Sequence, residues 1–300
     1  MKIVRLVDLC FRYQNSETIN LQHINLEIET GEFIVFTGKS GCGKSTLLNI
    51  ISGVLAKDGK NYFSGSMYLK QNAVLENDFE ELSPLVAMVF QNPEDQLFAE
   101  TVYEEVAFAL KNKRLPKEEI HKKVLTILQF VGLQGMEERD IRQLSGGQQQ
   151  RLALASMVVH EPELLILDEP LSQIDPQGAR DLLTLLCKLI KKYNMTILMA
   201  EHRLHEVLEF CHRLIIMEGG EIVSDNSIQK IVANALILKQ FSLRVPPALM
   251  ISEHFSIQPP TMDREILIKE MRKKEFHIDH TLPSAMERTG SCLLYTSDAA

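Results

Sequence analysis

Short apolar runs and one alternating run predict the strands of this chain. The alternation of apolar and polar residues over Ile24–Glu29 is typical of a half-buried strand. Fully apolar runs predict buried strands at Phe33–Phe36, Val86–Phe90, Leu164–Leu167 and Thr196–Ala200. Each run is far shorter than the roughly 18 apolar residues needed to cross a bilayer, so none predicts a transmembrane helix.

Longer segments between these runs have helical periodicity. A glycine-rich turn over 38–43 precedes a predicted helix at Lys44–Val54, and the pattern is helical again from Thr101 to about His160. Within that stretch one helix opens at Pro116 and keeps five apolar residues on a single face: Ile120, Val124, Ile127, Leu128 and Val131. The pair Asp175-Pro176 predicts the start of a helix that runs to about Tyr193, and a short helix follows from Arg203.

Buried strands that alternate with helices imply an α/β fold built on a mostly parallel sheet. Leu214–Met217 and Ile222–Val223 predict a hairpin that ends the sheet, and the helical stretch near 100–160 interrupts it as a subdomain. After Phe241 two Pro-Pro pairs punctuate what we expect to be a less regular segment, which ends in the basic run Lys269–Lys274.

The composition excludes several classes of protein. Among 300 residues, 45% are hydrophobic and 24% are charged, which is ordinary for a soluble globular chain. Lys and Arg total 32 against 40 Asp and Glu, and this net charge of −8 argues against a nucleic-acid partner. The five cysteines are scattered and form no CxxC pair, so we expect reduced thiols and a cytoplasmic protein.

The last nine residues, 292–300, resemble the translation of a sequencing adapter and not natural protein sequence. The alternative is an ordinary disordered terminus. Such a scar is excluded from fold reasoning. If the segment is a scar, we expect the natural chain to continue past Ser291.

The glycine-rich turn fits the phosphate-binding pattern GxxxxGKS, directly after a buried strand and directly before a helix. Backbone N–H groups of such a loop cradle phosphate, Lys44 would reach the β- and γ-phosphates, and Ser45 would ligate Mg²⁺. The alternative is a glycine-rich turn that binds nothing. The predicted nucleotide-binding residues are Gly38, Lys39, Ser40, Gly41, Cys42, Gly43, Lys44, Ser45 and Thr46.

Two acids follow the buried run Leu164–Leu167, at the strand end where α/β sheets place ligands. Asp168 would hold Mg²⁺, and Glu169 would act as general base toward the attacking water. The alternative is a strand that ends in two solvated acids.

The sequence Leu144-Ser-Gly-Gly-Gln148 is the signature of ABC ATPases, and over residues 3–243 the chain resembles that family. The resemblance implies a P-loop NTPase (RecA-like) core, an N-terminal antiparallel β part and an inserted helical signature subdomain at about 100–160. Residues 244–291 would then form a C-terminal extension, or a linker that leads to a second ATPase half.

The resemblance also implies roles for single residues. Tyr13 would stack on adenine, with an edge-strand aromatic as the alternative. Gln91 would be the Q-loop glutamine that touches Mg²⁺ and water, and His202 the switch histidine at the γ-phosphate. Ser172–Asp175 matches the D-loop, although Leu171 stands where many relatives carry threonine. A metal site made by His202, His205, Cys211 and His212 is a second reading that the ligand spacing disfavours.

In this family two ATPase halves pair head to tail, so Ser145, Gly146, Gly147 and Gln148 would close over the nucleotide of the opposite half. A second ABC half, in another chain or in a longer one, is therefore an expected partner. ATP and Mg²⁺ are the expected ligands.

The segment Gln91–Phe108 resembles the energy-coupling-factor (ECF) group of importers. That resemblance implies a transmembrane coupling subunit, a substrate-binding membrane subunit, a place on the cytoplasmic face of the membrane, and a vitamin or transition-metal ion as cargo. Ala200–Glu206 resembles the first half of relatives with two ATPase halves in one chain. Two alternatives stay open: the ATPase of a conventional ABC transporter, and a non-transport ABC ATPase.

Overall fold

The structure, a computed structural model, describes residues 1–55, 61–70, 72–74, 83–111, 113 and 115–273. In chain order the strands are β1 (Lys2–Arg12), β2 (Leu21–Glu29), β3 (Phe33–Thr37), β4 (Tyr62–Leu69), β5 (Asn72–Ala73), β6 (Val86–Val89), β7 (Leu164–Asp168), β8 (Thr196–Ala200), β9 (Arg213–Glu218) and β10 (Glu221–Ser227). The predicted adapter-like segment 292–300 and residues 274–291 lie outside the described residues.

The helices follow the same order. They are α1 (Lys44–Ile51), α2 (Val102–Lys111), α3 (Lys117–Val131), α4 (Gly146–Val158), α5 (Pro176–Tyr193), α6 (Leu204–Val207), α7 (Ile228–Ala233), α8 (Leu236–Gln240), α9 (Pro247–His254) and α10 (Arg264–Lys273). Single 3₁₀ turns lie at Ser83–Leu85, Pro93–Asp95 and Ile141–Gln143.

The main sheet has six strands in the order β10-β9-β3-β8-β7-β6, and all neighbours are parallel except the β9–β10 hairpin. The second sheet is antiparallel, in the order β2-β1-β4-β5. This arrangement confirms the predicted α/β core and its N-terminal antiparallel part. Because β3, β7 and β8 are parallel, their carboxyl ends meet at one edge, where the predicted site residues follow.

Both faces of the five parallel strands of the main sheet are buried, whereas the edge strand β10 has only exposed and half-buried residues. Side chains alternate between the two faces along each strand. Phe33 and Val35 of β3 point to the face covered by the helical subdomain and α5. Ile34 and Phe36 point to the other face, which packs on α1 and the antiparallel sheet. This burial explains why the strands are continuous apolar runs.

The predicted helical stretch is three helices, α2 to α4, separated by turns. The apolar face predicted for α3 is buried, and the helix ends at Gly132, whose φ of 77° is the left-handed conformation of a C-cap. The predicted helix after the glycine turn ends at Ile51, three residues early.

The segment after Phe241 is more regular than the sequence suggested. Pro246-Pro247 does not interrupt structure but opens α9, since proline is tolerated at a first helical position. Val245 and Leu249 join the apolar cluster beside the main sheet. Across the described ranges, no helix is both long enough and apolar enough to cross a membrane.

Candidate active site

The backbone of the glycine turn depends on two of its glycines. Gly38 has a φ of 145°, and a Cβ added there would lie 2.1 Å from the carbonyl oxygen of Met217. Gly43 has a φ of 105°, and its Cβ would lie 2.7 Å from Leu21 Cδ2. Any side chain would therefore force the loop open at both ends.

Lys44 is the first residue of α1, and its side chain turns back over the loop. Its Nζ donates to the carbonyl oxygens of Gly38 at 3.1 Å and of Lys39 at 3.3 Å. The residue is only 4% exposed. Its Nζ also lies 3.8 Å from the Cys42 sulfur, so its partners are neutral groups. A buried ammonium without an anionic partner among these contacts is a ready binding group for an anion that enters the loop.

Ser45 joins the loop to the end of β7. Its Oγ donates to Oδ1 of Asp168 at 3.0 Å. Burial raises the pKa of Asp168, while the hydrogen bond from Ser45 works in the opposite direction. A hydroxyl and a carboxylate side by side are oxygen donors of the kind that Mg²⁺ takes, so the residues present fit that ion.

Glu169 is held between the two other predicted catalytic residues. Its Oε1 lies 2.9 Å from His202 Nε2, and its Oε2 accepts from Gln91 Nε2 at 3.2 Å. Its backbone has a φ of 46°, a conformation that costs a non-glycine residue about 1–3 kcal/mol. The N–H of Glu169 donates to the carbonyl oxygen of Ala200 at 3.0 Å, which ties this strained turn to β8. The structure thus brings Gln91, Glu169 and His202 together.

The alternative metal site is not formed. The imidazole of His212 accepts from the backbone N–H of Phe33 at 2.8 Å, and burial raises the pKa of the Cys211 thiol to about 12. In the described part of the chain, no group of three or more His, Cys, Asp or Glu side chains could hold a metal ion. His202 faces Glu169 instead.

Tyr13 directly follows β1 of the antiparallel sheet, and its side chain reaches the first turn of α1. Its hydroxyl is 3.3 Å from Oγ1 of Thr46, and its ring meets the ring of Phe11 edge to face, with centroids 4.9 Å apart. This position beside the phosphate loop agrees with the predicted contact with a base. The contact itself stays a prediction.

The signature residues cap α4. Ser145 Oγ accepts from the N–H of Gln148 at 3.4 Å, and Gln148 Oε1 accepts from the N–H of Ser145 at 3.0 Å, which is a complete capping box. Gln148 also reaches the sulfur of Met136 at 3.8 Å. Among the described contacts, neither Ser145 nor Gln148 hydrogen-bonds the phosphate loop.

Sequence reasoning missed the buried Glu201. Its Oε1 accepts from the N–H groups of His202 at 2.7 Å and Arg203 at 2.9 Å, and burial raises its pKa. The sequence shows only that an acid precedes His202. The structure shows that the carboxyl group of this acid is buried and holds the backbone of His202 in place.

Glu105 belongs to the segment Gln91–Phe108 but is not available on its surface. The residue is 3% exposed, and its Oε2 accepts from the N–H groups of Phe98 at 3.1 Å and Ala99 at 2.9 Å. Its position on the inner face of α2 explains this burial. Glu94, Asp95 and Glu104 remain exposed.

Comparison with known proteins agrees with this geometry. The ABC transporter family profile matches residues 21–172. A protein of Methanosarcina mazei, which carries only the general name of an ABC transporter ATP-binding protein, is 38% identical over 88% of this chain and 45% of its own length. This chain therefore spans less than half of that relative.

Two solved structures are similar over nearly their whole length. One is cbiO1 from Clostridium perfringens, part of the ABC transporter complex cbiONQ, with 30% identity over 84% of this chain and 99% of that one and a TM-score of 0.73. The other is the ATP-binding cassette MJ0796, solved as a dimer in a post-hydrolysis state with ADP and Pi. It has 29% identity over 75% of this chain and 98% of that one, with a TM-score of 0.66.

Proposed function

Because this chain belongs to the ABC transporter family of ATP-binding proteins, we propose that it binds and hydrolyses ATP with Mg²⁺ to power import through a membrane complex. The observation that carries the proposal is the position of the Glu169 carboxylate. It lies between Gln91 and His202, at the edge of the main sheet where Lys44 begins α1. A carboxylate beside a phosphate-binding loop is placed to take a proton from water.

Each residue of the site has a role in this proposal. Lys44 binds the β- and γ-phosphate oxygens in exchange for its carbonyl partners. Ser45 and Asp168, with Gln91 beside them, would hold Mg²⁺, which would supply charge neutralisation on the phosphates. Glu169 accepts the proton of the attacking water, and His202 keeps the carboxylate in place.

A second ABC half completes the site. Gly146 and Gly147 begin α4 without positive φ, and a Cβ on either would meet only ordinary contacts at 3.6 Å, so the packing of this chain does not require glycine there. We therefore assign their small size to the nucleotide of an opposite half. Support comes from the dimeric state of the similar cassette MJ0796.

The chemistry is tested by Glu169→Gln against Lys44→Ala. The amide cannot accept a proton, so turnover should fall by about 10²–10⁴-fold while ATP binding persists. The Glu169→Gln protein should collect as an ATP-bound dimer in light scattering, whereas Lys44→Ala should lose ATP binding. Wild-type turnover in either variant would contradict the assignment.

Membrane coupling is proposed for the surface formed by the segment after Gln91 and by α2. The rings of Phe98 and Phe108 meet edge to face at 4.7 Å, yet they are 64% and 46% exposed. Exposed Glu94 and Glu104 lie in the same segment. An apolar patch flanked by acids suits an amphipathic, basic helix of a coupling subunit.

We further propose that the importer is of the ECF type and carries a vitamin or transition-metal ion, with this subunit on the cytoplasmic face of the membrane. The support is the resemblance of Gln91–Phe108 and the similarity to cbiO1, which is part of the cbiONQ complex. The test is co-purification with candidate membrane subunits. Recovery of subunits of a conventional transporter would favour that alternative.

The docking surface is tested by charge reversal. Glu104→Lys should reduce recovery of the membrane partner, more strongly at low salt, because exposed charges are screened as ionic strength rises. Glu118→Lys is the matched control, since Glu118 is also an exposed acid in the first turn of a helix. Glu105 is avoided because it is buried. Equal recovery from both variants would refute this surface.

A further inference from the structure

The guanidinium of Arg203 hydrogen-bonds the loop that follows Glu169. Its Nη1 donates to the carbonyl oxygens of Leu171 at 2.5 Å, directly before the D-loop, and of Ile174 at 3.2 Å, within it. Its Nε and Nη2 both donate to Oε1 of Glu206, at 3.0 Å for Nε. One guanidinium therefore joins the D-loop to α6.

The geometry of this contact is fixed from behind. The side chain of Glu206 is only 11% exposed, and the N–H of Arg203 donates to the buried Glu201. A planar guanidinium presents its donors in a rigid fork, so it holds two carbonyls and a carboxylate at set angles, which a lysine ammonium does not. The D-loop is thus tied to the segment that carries the switch histidine.

The Q-loop segment makes the same kind of double contact. Gln91 donates to Glu169, and the next residue, Asn92, accepts from Nε2 of Gln173 at 2.9 Å. In the switch segment, His202 contacts Glu169 and the next residue, Arg203, contacts the D-loop. In both segments, therefore, one residue contacts the Glu169 carboxylate and the next residue in the chain hydrogen-bonds the D-loop.

On its other side the D-loop lies against the signature. A Cβ on Gly146 would lie 3.6 Å from the carbonyl oxygen of Gln173, and a Cβ on Gly147 would lie 3.6 Å from Ile174 Cγ2. A shift of the D-loop would therefore be felt at the first turn of α4. These contacts connect Glu169, which acts on this chain's own nucleotide, with the signature, which contacts the nucleotide of the opposite half.

We propose that Arg203 is a positioning residue for the D-loop. It couples the position of the D-loop, and through it that of the signature glycines, to the contacts that Glu169 and His202 make. The proposal rests on the head-to-tail pairing proposed above. Arg203 touches neither ATP nor water in this scheme. It links closure of the partner's site to the state of this chain's own site.

The test is Arg203→Gln with Arg203→Lys as the conservative variant, both in the full chain. Loss of the fork should lower kcat by about tenfold or more, within the 5–150-fold typical of coupling between sites, and leave KM for ATP within about twofold. In a Glu169→Gln background, Arg203→Gln should raise the ATP concentration needed for dimer formation by a similar factor. Binding of a fluorescent ATP analogue to the monomer should not change.

Arg180→Gln is the matched control. Arg180 pairs with Glu209 at 3.5 Å and stacks on Phe210 close by, but its contacts do not include the D-loop carbonyls. Its kcat and dimer formation should equal those of wild type. Arg203→Lys should recover part of the lost rate, because one ammonium can still donate to a carbonyl.

The outcomes separate the two proposals. If wild-type protein neither dimerises with ATP nor gains activity with its partner, the proposed function fails. If wild type does both and Arg203→Gln matches it, the role of Arg203 is refuted. A uniform loss of ATP binding and thermal stability in Arg203→Gln, with Arg203→Lys equally affected, would assign Arg203 to the fold alone and also overturn the proposal.

Discussion

The phosphate loop and the signature are both glycine-rich turns at the start of a helix, yet the chain uses their glycines differently. In the phosphate loop, Gly38 and Gly43 have positive φ, and a Cβ would strike Met217 or Leu21. In the signature, Gly146 and Gly147 have room for a Cβ. The first pair is required by this chain's own fold.

The difference indicates where each site is completed. Lys44 lies within the phosphate loop and is held by the loop's carbonyls, so that half is built before a ligand arrives. The signature is a well-capped helix end in which Ser145 is exposed and both glycines are half-buried, and a helix N-terminus favours an anion. A glycine that its own chain does not need is best explained by close approach of something else.

The largest expected effect is that of Gly38→Ala. A methyl 2.1 Å from a backbone carbonyl cannot be accommodated by a side-chain shift, and strain at this φ adds about 1–3 kcal/mol. We expect loss of ATP binding and a large fall in the free energy of unfolding, measured by urea titration. Gly41→Ala is the control, because its Cβ would meet nothing within 4 Å and only the positive φ counts against it.

The next largest effect is expected from Ser145→Asp. This variant distinguishes the role of Ser145 as the cap of α4 from its role in pairing with a second ABC half. Asp caps helices as well as Ser does, and its charge suits a helix N-terminus, so thermal stability should be unchanged. A carboxylate that faces phosphate across a dimer costs several kcal/mol, so ATP-dependent dimerisation should weaken about 100-fold or more. Ser145→Thr should behave as wild type. Normal dimerisation of Ser145→Asp would contradict the proposal that the signature faces the nucleotide of an opposite half.

Gly147→Ala should have a smaller effect on activity and the opposite effect on stability. Alanine is preferred over glycine in a helix by about 1 kcal/mol, so the unfolding midpoint should rise or stay constant. Turnover of the paired protein should fall about tenfold, because the added methyl reaches the bound phosphate. A drop in stability with unchanged turnover would mean that this glycine, too, serves its own chain.

The smallest effect is expected from Glu201→Gln, at the buried carboxyl group that holds the backbone of His202. Burial raises the folded pKa of Glu201 from its ordinary value of 4.5, so the folded protein holds this proton more tightly than the unfolded chain. Wild-type stability attributable to Glu201 therefore falls as pH rises from about 4.5 through the folded pKa. The amide keeps an acceptor for His202 and Arg203 but does not ionise.

The stability gain of Glu201→Gln should thus be absent at low pH and reach a plateau above the folded pKa. Unfolding curves of both proteins across this range check the prediction. A gain of equal size at every pH would show that the carboxylate's charge is not the cause.

The strands and most site residues were predictable because the signals are local. β3, β7 and β8 are apolar runs, the Lys44 loop follows β3 directly, and the Asp168-Glu169 pair lies at the end of β7. The helices after Phe241 were not foreseen, because proline at a first helical position has the same sequence signal as proline in a loop. The signature was found by family resemblance.

The sequence alone determined an α/β core, a phosphate loop and an acidic strand end, since each depends on neighbouring residues and on periodicity. Only the tertiary structure decided that Glu105 is buried, that Glu201 lies beneath His202, and that Arg203 binds the D-loop. These are contacts between segments far apart in the chain or between faces of one helix. Their formation depends on how strands and helices pack, and packing leaves no local pattern in the sequence.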